Sequence, residues 1–169
     1  MEGWSLSGVI TINSGPPFEP VLGDDYAGAL YAFTGQRPDL APGGKLNPVL
    51  GGPNKYFDGL SFVLPPLTPD CAAPGATCTL RVFGNVGRNT LTGPGLATWN
   101  LSLLKSTKLT EGSQLQFRAE FFNLLNRPNF RLPNSTVFLA GAARNALAGR
   151  ITDVSTNARQ IQFALKLIF

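Results

Sequence analysis

An all-β fold, an antiparallel meander of about four long strands joined by long loops, is what this sequence predicts. Three observations predict it. Four segments alternate apolar and polar residues with a period of two, the period at which side chains change faces along a strand. The connections between those segments are very unequal in length. Charged residues make up only 14% of the chain, against about 25% in soluble domains, so something other than a charged surface keeps it in its environment.

The elements follow in order. In residues 4–13, Trp4, Leu6, Ile10 and Ile12 alternate with Ser5, Ser7, Thr11 and Asn13. Residues 97–109 set Trp99, Leu101 and Leu103 against Thr98, Asn100 and Ser102. In 113–125, Leu115, Phe117, Ala119 and Phe121 share one face, and Gln114, Gln116, Arg118 and Glu120 share the other. A helical face there would mix Gln, Arg and Phe, so the strand reading wins. The adjacent apolar pairs of AEFFNLLN, 119–126, would also suit a helix start. The strand is expected to continue to about Leu125 and to stop at Asn126-Arg127-Pro128, because proline disfavours regular structure before it. In 159–169, Ile161, Phe163, Leu165, Leu167 and Phe169 alternate with Gln160, Gln162, Ala164 and Lys166.

Strands of about nine to thirteen residues suit a tilted crossing of a bilayer, so the meander is expected to be part of a transmembrane β-barrel. The 19 glycines and 14 prolines suit a β protein with long loops and not a helical one. TEGS at 110–113 reads as a tight turn with Gly112 available for positive φ. Residues 14–96 and 126–158 read as long extracellular-type loops, the second with a short strand at 149–155. Long structureless loops are rare in compact soluble domains and expected on the outer side of such barrels. A periplasmic 110–113 turn makes the four strands alternate in direction and puts both long loops on one side. Trp4 and Trp99 are then expected near the extracellular interface, with Phe163 and Phe169 at the opposite one. Gln114, Gln116, Arg118, Glu120, Gln160, Gln162 and Lys166 are expected to face the lumen, with Arg118 and Glu120 close enough to pair.

Other classes fall away on composition. Histidine is absent, which removes His-based triads and His metal sites. No paired carboxylates or activated nucleophile stand out, so the chain is expected not to be an enzyme and to use no cofactor. Asp24, Asp25, Asp39, Asp58 and Asp70 lack the spacing of a calcium loop, and FGNVGRNTLTGPG (83–95) fits neither phosphate-binding nor dinucleotide-binding glycine patterns. The net charge of +4 is scattered singly, which argues against nucleic acid. Cys71 and Cys78 suit a small disulfide, which persists in oxidising compartments, with two unpaired thiols as the alternative. No apolar run reaches the ~18 residues of a membrane helix. MEGWSLSGVI does not read as a signal peptide, so an export signal is expected upstream.

The closing ARQIQFALKLIF, with Phe163, Leu165, Leu167 and Phe169 on one face, resembles the C-terminal assembly signal that the barrel-assembly machinery of outer membranes recognises. More widely, GWSLSGVITINSGPPF (3–18), FGNVGRNTLTGPG (83–95), WNLSLLKSTKLTEG (99–112) and LQFRAEFFNLLNRPNF (115–130) resemble the C-terminal end of TonB-dependent outer-membrane receptors that carry an N-terminal carboxypeptidase-regulatory-like domain. The resemblance implies a bacterial outer-membrane location and a wall segment of a larger receptor barrel that takes up a large ligand. It implies as partners outer-membrane lipid, the assembly machinery, and the remaining barrel and plug, neither of which lies in these residues. A secreted β-sandwich recognising carbohydrate or protein is the second reading, and it would bury the apolar faces that the first leaves outward.

Overall fold

The computed structural model describes residues 3–29 and 35–169. They form two compact units: one of residues 1–14, 95–130 and 154–169, and one of 15–94 and 131–153.

The first unit is an antiparallel four-stranded sheet. Its strands are β1 (Trp4–Asn13), β2 (Leu96–Thr110), β3 (Ser113–Phe122) and β4 (Gln160–Ile168). They lie side by side in chain order, so β1 and β4 are free edges and the sheet does not close on itself. Thr110 pairs with Ser113 across the turn, their hydroxyls 2.7 Å apart, after an irregularity in the ladder at Lys108–Thr110. Gly112 makes this turn without the expected positive φ.

β3 stops at Phe122, three residues before the expected Leu125. Asn123 and Asn126 take left-handed backbone (φ 49° and 50°), a conformation asparagine tolerates better than other side-chain-bearing residues. The apolar pairs around them therefore extend neither a helix nor the strand.

The second unit corrects the expectation of structureless loops. Its two chain segments fold together through short ladders. Pro17–Phe18 pairs with Leu91–Thr92, and Asp39–Leu40 pairs with Phe62–Val63. Val21–Leu22 runs parallel to Thr136–Phe138, joining the longer segment to the shorter one. The rings of Phe18, Phe57 and Phe62 meet in an aromatic core, with Leu22, Val86, Leu91, Val137 and Ile151 also buried. The short strand expected at 149–155 does not form. Val154 forms an isolated bridge to Phe130, and Ile151 is held by its N–H on the Pro53 carbonyl at 2.7 Å.

Two of the glycines in this unit mark close backbone approach. A Cβ on Gly84 would sit 2.0 Å from the Arg37 carbonyl oxygen, and one on Gly15 1.6 Å from that of Gly93. In 83–95 the positive φ falls on Asn89, not on a glycine. Cys71 and Cys78 are joined by a disulfide beside a short helix, Pro69–Ala72. Two of the aspartates act as hydrogen-bond acceptors within this unit: Asp39 takes the Asn85 N–H at 2.7 Å, and Asp25 takes the Ala29 N–H at 3.0 Å and the Gln36 amide.

Candidate functional site

The register of the sheet sorts its side chains into two unlike faces. Ser7, Ser102, Glu120 and Gln162 form one row across all four strands. Ser106, Gln116 and Lys166 form another, Lys108 and Gln114 a third, and Ser5 lies in a row with Leu104, Arg118 and Ala164. The sequence-predicted polar set is thus brought onto a single face, with Gln160 continuing it opposite Phe122. Arg118 and Glu120 approach to 3.7 Å. Between β1, β2 and β3 this face holds a shallow groove of about 160 Å³ lined by Ser7, Asn100, Ser102, Glu120, Val9 and Phe122. Its chemistry is hydrogen bonding with one carboxylate.

The opposite face is almost wholly apolar. Its rows run Gly8–Leu101–Phe121–Ile161, Leu6–Leu103–Ala119–Phe163 and Trp4–Lys105–Phe117–Leu165. Phe117 stacks on Phe163 at 6.1 Å, and Ala119 supplies the small residue between larger neighbours. Among the described residues this face is largely exposed: Ile12 is 75% exposed and Leu165 69%, although Ala119 is buried among its larger neighbours. A sandwich would bury these residues, whereas here most of them stand exposed.

The same register moves one tryptophan. Trp99 pairs with Ile10 near the loop end of the sheet, as expected, but Trp4 pairs with Lys105 toward the turn end. Six positions along β2 separate the two levels, ~20 Å at the rise of a strand. The Lys105 ammonium lies 5.2 Å from the Trp4 ring centroid. Phe169 follows Leu167, which pairs with Leu115, and so lies at the turn end, whereas Phe163 sits mid-sheet opposite Ala119. The apolar band therefore has Trp99 toward its loop end and Trp4 and Phe169 toward its turn end.

Two buried asparagines hold the loop end of the sheet, and the sequence reading missed both. Asn129 accepts the Ala97 N–H on Oδ1 at 2.8 Å and donates Nδ2 to the Thr156 hydroxyl at 3.0 Å. Asn123 donates its N–H to Asn100 Oδ1 and its Nδ2 to the carbonyls of Arg127 and Asn157, at 3.0 to 3.1 Å. They tie the start of β2, the end of β3 and the approach to β4. The signal was three asparagines at spacing three in NLLNRPN, residues 123–129, too polar a pattern for either an apolar strand or a helix.

In the second unit a cavity of about 380 Å³ is lined by Asn54, Lys55, Asp58, Val137, Arg144 and Asn145, among others. Its charged groups are already engaged. Lys55 Nζ lies 3.0 Å from Asp58 Oδ1, and this hydrogen bond holds the Asp58 carboxyl below its usual range. Arg144 donates to the carbonyls of Gly59 and Phe62 at 3.1 and 3.0 Å and lies over the Phe138 ring. Burial pushes the Tyr56 and Tyr26 phenols up, and Tyr26 bonds the Leu139 carbonyl. Among the described residues no group of three or more acidic or cysteine side chains is placed to hold a metal ion.

With this geometry in place, comparison with known proteins matches the chain to the family described as outer membrane beta barrel domain, over residues 1–162. The match takes in β1, β2, β3 and the start of β4. No curated protein and no solved structure matches the chain.

Proposed function

The chain belongs to the outer membrane β-barrel domain family and has its place in the bacterial outer membrane, and from that premise we propose that its sheet is a wall segment of a TonB-dependent receptor that takes up a large ligand. The observation that carries the reading is the uncovered apolar face backed by a polar one, with β1 and β4 as free edges. Lipid takes the place of a core on the first face. On the second, Gln114, Gln116, Arg118, Glu120, Gln160, Gln162 and Lys166 line the lumen, where hydrogen bonds and charge meet a plug or a passing ligand. The free edges give neighbouring barrel strands their hydrogen-bond partners, which an open sheet in a bilayer requires.

The receptor type rests on the resemblance of residues 3–18, 83–95, 99–112 and 115–130, which here form β1, the approach to β2, the β2–β3 hairpin and the asparagine junction. The assembly signal is Phe163, Leu165 and Leu167 on the lipid-directed face of the edge strand β4, with Phe169 directly after its end and 92% exposed. That placement leaves them open to the barrel-assembly machinery.

Two measurements test this. Expressed behind an export signal, the chain is expected in the outer-membrane fraction, and deleting Phe169 should lower that recovery several-fold. A soluble periplasmic product indifferent to the deletion would overturn the assembly role. A photo-crosslinker at Gln116 of the receptor-borne chain is expected to capture plug residues, and one at Leu165 to capture lipid. Lipid capture from Gln116 would reverse the assigned faces.

A further inference from the structure

The second unit holds a cavity of about 460 Å³ between the two limbs of the 131–153 segment, a size that suits a small organic ligand. Its walls are built rather than incidental. The limbs are clamped by backbone hydrogen bonds from Arg131 N–H to the Asp153 carbonyl, from Asn134 N–H to the Arg150 carbonyl and from Gly149 N–H to the Asn134 carbonyl, at 2.8 to 3.1 Å. Ile151 is 7% exposed and anchors one limb in the core. Its neighbours Arg150 and Thr152 are both exposed and both line the cavity.

The polar groups there are unequally engaged. Arg131 and Asp153 pair at 3.5 Å across the rim. Asn134, which lines the cavity, has its Oδ1 occupied by the Thr136 N–H at 3.0 Å, so Nδ2 is the donor its side chain has to offer. Arg150 has no ion-pair or side-chain hydrogen-bond partner among the described residues. Two arginines against one aspartate leave one positive charge, in a fork geometry that matches a carboxylate. Leu147 adds an apolar wall.

We propose that this cavity binds a monocarboxylate with a short apolar body. Arg150 grips the carboxylate, Asn134 and Thr152 add hydrogen bonds, and Leu147 covers the hydrocarbon part. Asp153 disfavours a more highly charged anion such as phosphate. The site belongs to the second unit and does not depend on the receptor reading.

The test follows the Arg150 Nε–Hε resonance of the full chain in detergent micelles while 3-methylbutyrate is added, with inorganic phosphate in a parallel titration. A saturable shift is expected with 3-methylbutyrate, at least tenfold weaker with phosphate. Arg150→Gln should weaken binding tenfold or more, followed on the Thr152 methyl. Asp153→Asn, which removes the opposing charge and keeps every proposed donor, should tighten it about threefold or more. No saturation with 3-methylbutyrate, equal affinity in Arg150→Gln, or weaker binding in Asp153→Asn would each overturn the site. Tighter binding of phosphate would overturn the carboxylate assignment.

Discussion

Phe57 and Phe163 are the same residue in opposite surroundings. Phe57 has no exposed surface and lies between Phe18 and Phe62, whereas Phe163 is 65% exposed and stacks on the ring of Phe117 on the sheet. The contrast holds for the units as wholes. Among the described residues, Ala119 is the one buried apolar residue of the sheet, and the others lie in the second unit. One region is built for water and hides its apolar side chains from it. The other leaves them exposed on one face, as the proposed contact with lipid requires. Apolar content therefore says little about where a core will be: what matters is which solvent each face meets.

The largest expected break in this comparison is Phe57→Ala. Emptying a fully buried aromatic site costs ~3–5 kcal/mol, here within the second unit. Amide exchange at Tyr56 and Ala41 should accelerate by two orders of magnitude or more, while the fluorescence of Trp4 and Trp99, both in the sheet, stays unchanged. A fluorescence change of equal size would show that the two units unfold as one.

Neighbouring residues on β2 sharpen the two-faced reading. Leu103→Arg places a charge in the middle of the apolar face and should cost ~2–4 kcal/mol of folding into a bilayer. Ser102→Arg, one residue away on the polar face, should cost no more than ~0.5 kcal/mol. Equal costs in bilayer refolding titrations would remove the distinction between the faces.

Reducing Cys71–Cys78 should lower the stability of the second unit by ~2–3 kcal/mol on the loop-entropy estimate for so short a loop, seen as faster exchange there and not in β1–β4. Asn129→Ala should cost ~1–3 kcal/mol, because it leaves the Ala97 N–H without its acceptor at the start of β2. Its effect belongs to the sheet, and should appear in the tryptophan fluorescence.

The smallest effect is on pH. The Lys55 hydrogen bond lowers the folded-state pKa of Asp58, so its contribution is fully present above the ordinary carboxylate range of about 4 and is lost as pH falls through the lowered folded value. The pair is partly exposed, so less than ~1 kcal/mol is at stake. A carboxyl titration should place the Asp58 midpoint below that of a model aspartate. A midpoint at or above it would remove the effect.

The sheet was largely legible because alternation is a local property. Leu115, Phe117 and Phe121 announce a face without reference to any other segment, as Ile161, Phe163 and Leu165 do. Strand ends were less legible. Whether the chain leaves β3 at Phe122 or Leu125 depends on Asn123 finding Asn100 and Asn157, which lie far along the chain. The level of Trp4 depended on pairing with Lys105, a register that no single segment contains. The second unit was illegible for the same reason. Phe18, Phe57, Phe62 and Val137 sit in stretches with no period, and only their convergence makes them a core.

By itself, then, the sequence determined the all-β class, the long strands, the two unlike faces of each and the unequal connections, because all of these follow from side-chain alternation and from turn chemistry acting over a few residues. Tertiary structure alone decided that the loops fold into a unit with its own core, that Asn123 and Asn129 bind the strand ends together, and that Arg150, Asn134 and Thr152 gather at one cavity. Those outcomes require segments well separated along the chain to meet, and their hydrogen bonds and ring contacts exist only after the chain has closed on itself.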